Sequence, residues 1–200
     1  MRNRILAFGA HPDDVEFGCG GTLILLRSLG YDITIIDLTR GEKSIHGRND
    51  EDAVKAAKLL GAERINLNFG DKNVKLEDEY QLKKIKELIE KYKPSLVFVP
   101  YYVDPHPDHV NTSRLVNKFT NPIYYYISHM ENENWGVDIS KVYKEKIKLL
   151  QCHEMQAKPE DWEWIENRNK ESGDAVGSEK GELFHIEDKK DLPDLFKKIK

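Results

Sequence analysis

The chain has 200 residues, of which 33% are charged and 39% hydrophobic, and its formal net charge is -4. This length and apolar content are typical of one globular domain, which we expect to span residues 1–200. The small negative charge gives no reason to expect a nucleic-acid partner, and no apolar run approaches the roughly 20 residues that a membrane span needs. Cys19 and Cys152 lack metal-finger spacing. A disulfide framework is therefore not expected, and a cytoplasmic location is the default.

The first half of the chain alternates between short apolar runs and amphipathic segments. The apolar runs predict buried strands at residues 4–9, 32–38, 64–67 and 95–100. Segments with helical spacing predict helices at residues 22–28, 50–60 and 78–92. This alternation predicts an α/β, Rossmann-like fold, with a mostly parallel sheet flanked by helices on both faces.

The second half is less regular. Helices are predicted at residues 108–119, 140–157 and 161–170, and strands at residues 123–127 and 182–186. The lysine-rich segment 189–200 is compatible with a helix or with a frayed end. No repeat, low-complexity tract or linker divides the sequence.

A cluster of polar residues, His11, Asp13 and Asp14, follows the first predicted strand. Ligands of such sheets bind at this edge. A dinucleotide site here would need bare backbone N–H groups to bind the pyrophosphate. Asp37 suits the ribose position of such a site, but the carboxylates of Asp13 and Asp14 would repel a pyrophosphate. Histidine nitrogen and aspartate oxygen are standard zinc ligands, so we interpret the loop as part of a metal site. The alternative, a carboxylate that only caps the next helix, leaves the histidine unexplained.

A second cluster, His106, Asp108 and His109, follows the fourth predicted strand. On neighbouring sheet positions the two clusters would face one cleft. His109 can then supply a third metal ligand, and His106, held between two prolines, lies beside the site. Asp108 is placed to accept a hydrogen bond from one imidazole and so fix its tautomer.

These residues resemble the motifs of the LmbE/PIG-L family of metal-dependent N-deacetylases, which act on N-acetylglucosamine conjugates. The resemblance is carried by residues 10–14 (Ala-His-Pro-Asp-Asp), by Glu16 with the glycines after it, and by residues 106–109 (His-Pro-Asp-His). Segments similar to other family signatures lie at residues 38–42, 56–61 and 181–184. The resemblance therefore covers nearly the whole chain.

The resemblance implies a role for each cluster residue. The residues that would bind zinc are His11, Asp14 and His109. Asp13 would be the general base, and His106, oriented by Asp108, would stabilise the oxyanion or protonate the leaving amine. Zinc lowers the pKa of its bound water to about 7, which suits amide hydrolysis at neutral pH.

Family members often carry an arginine, near the start of the helix after the second strand, that holds the substrate. Arg48 is the candidate for this role, although the preceding residues 43–47 form an atypical version of that loop. His46 and His129 are expected to be ordinary loop histidines.

The sequence thus predicts a zinc-dependent hydrolase that removes an N-acetyl group from a small N-acetylglucosamine-type conjugate. Fe2+ is an alternative metal, because two histidines and one carboxylate also describe non-haem iron oxygenases. A further alternative is a metal-binding or sugar-binding protein on the same fold without turnover. Asp13 and His106 argue against it, since neither is needed merely to hold a metal. The sequence leaves open the aglycone, the physiological metal and the oligomeric state, including a homo-oligomer.

Overall fold

The computed structural model describes residues 3–44, 50–127, 132–156, 161–190, 192–197 and 199. Its strands are β1 (Arg4–Gly9), β2 (Asp32–Thr39), β3 (Glu63–Phe69), β4 (Leu96–Pro100), β5 (Ile123–Tyr125), β6 (Trp135–Asp138) and β7 (Gly181–Ile186). They form one seven-stranded sheet in the order β3-β2-β1-β4-β5-β7-β6. The first five strands run parallel, and β7 is antiparallel to both of its neighbours. The four strands predicted in the first half are confirmed, with bounds shifted by two residues at most.

The helices are α1 (Asp14–Ser28), α2 (Asp50–Leu60), α3 (Glu79–Tyr92), α4 (Pro107–Asn117), α5 (Tyr143–Gln151), α6 (Trp162–Val176) and α7 (Asp194–Lys197). They cover both faces of the sheet. Ile5 and Ala7 of β1 belong to a core shared with α1, whereas Leu6 and Phe8 belong to a core shared with α3 and α4. Burial on both faces explains why the parallel strands are apolar at successive positions. The predicted α/β, Rossmann-like fold is confirmed.

The start of α1 differs from the prediction. The sequence predicts a loop up to Gly21 and a helix from Thr22, but the helix begins at Asp14 and is kinked at Cys19, where φ is -144° and ψ is 15°. Gly18 allows this segment to lie against the sheet, because a Cβ at this position would lie 2.0 Å from the Tyr125 ring. Gly18 therefore serves close packing within a helix rather than a loop.

Two buried charged side chains, Glu182 and Lys146, form hydrogen bonds with backbone groups that the kink leaves without partners inside the helix. The carboxylate of Glu182 accepts hydrogen bonds from the N–H groups of Gly21 and Thr22, at 2.8 and 2.7 Å. Lys146 donates to the carbonyl oxygen of Phe17 at 2.9 Å and pairs with Glu182 at 2.7 Å. Backbone groups that a helix end cannot satisfy need such partners, so α5 and β7 stabilise the kinked α1.

The remaining differences lie in the second half. The sequence did not predict β6, a four-residue edge strand. The helix predicted at residues 140–157 is a 3₁₀ turn at Ser140–Val142 followed by the shorter α5, whereas α6 runs further than predicted, to Val176. In the lysine-rich end, a helix is described only at Asp194–Lys197. Within the described residues, no helix is both long and apolar enough to cross a membrane.

Candidate metal centre

The two predicted clusters meet at the point where the strand order reverses. β2 and β4 flank β1 on opposite sides, and the loops that follow β1 and β4 carry the two clusters. Ligands of doubly wound sheets bind in the crevice at such a switch point. The rings of His11 and His109 lie with their centroids 5.3 Å apart, and the His106 ring lies 4.7 and 4.8 Å from them. Tertiary structure therefore brings the three histidines together, as predicted.

Asp14 stands between two of these histidines. Its Oδ1 lies 3.4 Å from Nε2 of His109, and its Oδ2 lies 3.6 Å from Nδ1 of His11. In a tetrahedral zinc site with bonds of about 2.0–2.1 Å, neighbouring ligand atoms are about 3.3 Å apart. Each separation is close to this value but uses a different oxygen of Asp14, so it is the donor set of two imidazoles and a carboxylate that fits a zinc ion. All three side chains are buried.

A second group of carboxylates contacts the far sides of the two histidine rings. Asp104 Oδ1 lies 2.8 Å from Nδ1 of His109. Asp71 Oδ1 and Asp108 Oδ2 lie 3.3 and 3.7 Å from Nε2 of His11. A carboxylate on the second ring nitrogen orients a metal-bound histidine and raises its basicity, so this is the arrangement that supports metal ligation.

The hydrogen bond between His106 and Asp108 involves different atoms from those expected. The backbone N–H of Asp108 donates to Nδ1 of His106 at 3.2 Å, which caps the N-terminus of α4. The Asp108 carboxylate instead accepts the backbone N–H groups of Lys72 and Val74, at 2.7 and 3.3 Å. Since Nδ1 of His106 is an acceptor, its neutral ring carries the proton on Nε2.

The charges in the cluster shift the pKa values of its members in opposite directions. Burial raises the pKa of Asp14, but His109 and His11 together hold it well below its usual value. Burial lowers the pKa of His109, and the carboxylates of Asp14 and Asp104 outweigh this effect and raise it to about 9. Burial and the neighbouring charges of His109 and His11 lower the pKa of His106, so this ring is neutral at pH 7.

Asp13 has an unusual backbone conformation. Its φ of 110° is one that L-residues rarely adopt, and its side chain does not cap α1, although the residue occupies the N-cap position. Strain of this kind is concentrated at functional sites. Asp13 is buried and lines the cavity above the histidines, so capping does not account for this carboxylate.

A buried ion network lies beneath the first turn of α1. Arg64 donates two hydrogen bonds to Asp37, at 2.7 and 2.9 Å, and one to Glu16 at 2.5 Å. His153 Nε2 lies 3.3 Å from the same Glu16 oxygen. Burial raises the pKa of Glu16, but the charges of Arg64 and His153 bring it down to about 2. The network ties α1 to β2 and β3, and it uses the carboxylate of Asp37 that a dinucleotide site would need.

The cavity above the cluster has a volume of about 410 Å³. Its lining residues are His11, Asp13, Asp14, Phe17, Lys43, Ser44, Asp71, Lys72, His106, His109, Ile127 and Trp164. Arg48, the predicted substrate-binding residue, lies outside the described residues, as do His46 and His129.

Sequence reasoning missed Asp71 and Asp104. Asp71 comes two residues after the end of β3, so its place at the carboxyl edge of the sheet was the available signal. Asp104 lies two residues before His106, in the loop that follows β4. Among the described residues, two groups bring one possible ligand atom per residue within 4.8 Å of one another: His11 with His106 and His109, and His11 with Asp71 and Asp108.

The fold and the site define an α/β protein with a histidine–carboxylate cluster at its switch point. The PIG-L family profile, described as GlcNAc-PI de-N-acetylase, matches residues 6–120. The chain therefore belongs to the PIG-L family.

Individual relatives support this assignment. Diacetylchitobiose deacetylase from Thermococcus kodakarensis is 30% identical, over 80% of this chain and 72% of that protein. The uncharacterized deacetylase YaiS of Escherichia coli K12 is 35% identical over 54% of this chain, and the match spans only 63% of that relative's length. The crystal structure of the conserved protein TT1542 from Thermus thermophilus superimposes with a TM-score of 0.82 at 27% identity, covering 94% of this chain and 95% of that one.

Proposed function

We propose that this protein is a zinc-dependent N-deacetylase that hydrolyses the acetamide of an N-acetylglucosamine-type conjugate. The observation that carries the proposal is the position of Asp14 between His11 and His109, with Asp13 beside it on the cavity wall. Membership of the PIG-L family and the deacetylase activity for which the Thermococcus kodakarensis relative is named support the same reaction.

In this proposal His11, Asp14 and His109 hold the zinc ion. When bound, zinc lowers the pKa of a water molecule to about 7 and polarises the acetamide carbonyl group. The carboxylates of Asp104 and Asp71 keep the two imidazoles oriented toward the ion. Two histidines and an aspartate leave a coordination position for water, as catalytic zinc sites require.

Asp13 is the proposed general base. It adjoins a proposed ligand in sequence, and it lines the cavity together with the histidines. It would take the proton of the attacking water. A positioned base of this kind contributes between about 100-fold and about 10,000-fold to the rate.

His106 is the proposed hydrogen-bond donor on the other side of the reacting carbonyl. Its Nδ1 accepts the N–H of Asp108, so the Nε2 proton of the neutral ring is left to face the substrate. From there it can donate a hydrogen bond to the developing oxyanion, whereas delivery of a proton to the leaving amine would need the doubly protonated ring. Asp108 would act through this backbone contact and by placing residues 72–74 beside the site.

A combined assay of metal content and amine release tests the proposal. The purified protein is analysed for bound metal and incubated with a panel of N-acetylated glucosamine conjugates, as the wild type and as Asp13→Asn, His109→Ala and Asp194→Asn. Asp194 has a 94% exposed side chain and serves as the matched carboxylate control. We expect Asp13→Asn to keep zinc and lose most amine release, His109→Ala to lose zinc, and Asp194→Asn to resemble the wild type.

Other results would contradict the proposal. Amine release that is unaffected by Asp13→Asn would remove the assignment of the general base. Product formation that requires oxygen and iron would favour the oxygenase alternative. Tight zinc and sugar binding without any amine release would favour a binding protein.

A further inference from the structure

One wall of the cavity presents an exposed aromatic side chain that the proposed chemistry does not use. Trp164 of α6 lines the cavity and is 46% exposed. Phe17 of α1 and Ile127, which follows β5, line the cavity with it. Single exposed aromatic side chains are common, but one that lines a cavity beside a histidine–carboxylate cluster offers an apolar surface to a ligand bound there.

Contacts with its neighbours hold the indole of Trp164 in place. The guanidinium carbon of Arg168, one helical turn further along α6, lies 5.4 Å from the centre of the indole ring. Arg168 also donates a hydrogen bond to the carbonyl oxygen of Tyr126 at 2.8 Å, which anchors the pair to the end of β5. The ring of Phe17 lies 6.4 Å away at an angle of 51°. The ring is therefore ordered before a ligand arrives, which lowers the entropic cost of binding.

The rest of the cavity wall is polar. Lys43 and Ser44 follow β2 and Lys72 follows β3, so they lie on the other side of β1 from the end of β5. None of these side chains offers the continuous apolar groove that an acyl chain would need. A six-membered sugar ring suits this surface better, because its C–H groups form an apolar face while its hydroxyl groups point outward toward polar partners.

We propose that Trp164 forms an aglycone subsite, in which the indole stacks against the face of a second pyranose ring joined to the reacting N-acetyl sugar. The inference rests on the proposed deacetylase function and makes a disaccharide the preferred substrate class. No hydrogen bond to the indole Nε1–H occurs in the described part of the chain, so this donor is available for a ring hydroxyl group. Phe17 and Ile127 would border the same ring.

Substrate comparison with matched variants tests the subsite. Steady-state amine release by the zinc-loaded protein is measured with N-acetylglucosamine, its β-linked disaccharide, its octyl glycoside and a glycoside of a dicarboxylic acid. The variants are Trp164→Ala, Trp164→Phe and the control Tyr80→Ala, which removes another exposed aromatic (60% exposed) that lies outside the cavity lining. Disaccharide and monosaccharide binding is also measured by calorimetry.

We expect Trp164→Ala to raise KM for the disaccharide about tenfold and to change kcat by less than about twofold, because the ring contact exists in both ground state and transition state. The monosaccharide should be unaffected, Trp164→Phe should recover most of the loss, and Tyr80→Ala should match the wild type. Equal losses for monosaccharide and disaccharide would overturn the subsite. The subsite would also be overturned if Trp164→Ala reduced activity on the octyl glycoside as much as on the disaccharide. A preference for the dicarboxylic glycoside that persists in Trp164→Ala would overturn it as well.

Calorimetry separates this inference from the proposed function. If the wild type releases no amine from any substrate, the deacetylase proposal fails while the subsite is still tested by binding. Tighter binding of the disaccharide than of the monosaccharide, lost in Trp164→Ala, would support the subsite. Equal affinities in the two proteins would overturn it.

Discussion

His109 and Asp104 are in direct contact, with 2.8 Å between Nδ1 of the imidazole and Oδ1 of the carboxylate. A carboxylate can only accept a hydrogen bond, which places the proton on Nδ1. Nε2, which lies 3.4 Å from Asp14, is then the nitrogen that gives up its proton when the ring binds a cation. Asp104 thereby orients His109 to bind a cation through Nε2. Asp104 itself contacts the other ring nitrogen, so it does not bind the same ion.

This relationship predicts that Asp104→Asn weakens zinc binding without removing it. An amide oxygen can still accept a hydrogen bond from Nδ1–H, but it carries no charge. Loss of such an outer carboxylate typically costs about 10-fold to 100-fold in affinity. Competition with a chromophoric chelator measures the change. Glu90→Gln, an exposed change on α3, is the matched control. Zinc affinity equal to that of the control would mean that Asp104 does not support the metal.

The role of His106 is tested by His106→Gln. If this residue donates a hydrogen bond to the reacting carbonyl or amine, the variant should keep its zinc and lose about 100-fold or more in kcat, with a small change in KM. Metal analysis and steady-state kinetics on the same preparation decide the question. Loss of zinc in parallel with activity would instead make His106 a metal ligand, as its membership of a cluster with His11 and His109 allows.

The buried pair of Lys146 and Glu182 is predicted to stabilise the fold. Lys146→Met leaves the carboxylate of Glu182 without its cation and the carbonyl of Phe17 without its donor. Removing one partner of a buried ion pair costs about 3–5 kcal/mol, so the midpoint of urea unfolding should fall sharply. Lys144→Met, at an exposed position of the same helix, should leave the midpoint nearly unchanged.

Addition of Glu182→Gln to Lys146→Met provides the second half of this test. The double variant buries no uncompensated charge, so it should recover part of the lost stability. Additive losses from the two substitutions would show that the two charges do not stabilise each other.

Two glycines of α1 give opposite predictions for the same substitution. A Cβ at Gly18 would lie 2.0 Å from the ring of Tyr125, whose hydroxyl group donates to the carbonyl oxygen of Phe8. A Cβ at Gly20 would meet its nearest atom, on Leu149, at 3.6 Å. Gly18→Ala should therefore displace α1 from the sheet and destabilise the protein by about 1–3 kcal/mol or more, whereas Gly20→Ala should be neutral or stabilising. Equal unfolding midpoints in chemical denaturation would contradict this packing of α1.

The elements that sequence analysis predicted well are those whose stability is local. β1 and β4 are apolar runs that end at Gly9 and Pro100, and such runs suit only a strand that is buried on both faces. α3 has regular helical spacing and an N-cap, Asp78, that accepts the N–H of Gln81. In contrast, β6 has four residues at a sheet edge, and it is a strand because it pairs with β7, which lies more than forty residues further along the chain.

The start of α1 could not be predicted because its stabilising groups are remote. Residues 14–21 contain three glycines, and a helix there depends on Lys146 and on Glu182, which contacts Gly21 across 161 positions of sequence. No local sequence pattern indicates the contact between Glu182 and Gly21. The same reasoning applies to Asp71, whose carboxylate reaches His11 only because β3 and β1 are separated by a single strand.

The sequence by itself determined the residue types of the candidate site: two histidine–aspartate clusters after two core strands, with the imidazole and carboxylate groups that zinc sites use. Tertiary structure decided how those residues are used. It placed Asp14 between His11 and His109, turned the Asp108 carboxylate away from His106, and brought Asp104 to the far side of a proposed ligand. The physical reason is that side-chain type is local information, whereas the partner of each nitrogen and oxygen depends on which strands are adjacent and on which groups burial leaves to be paired.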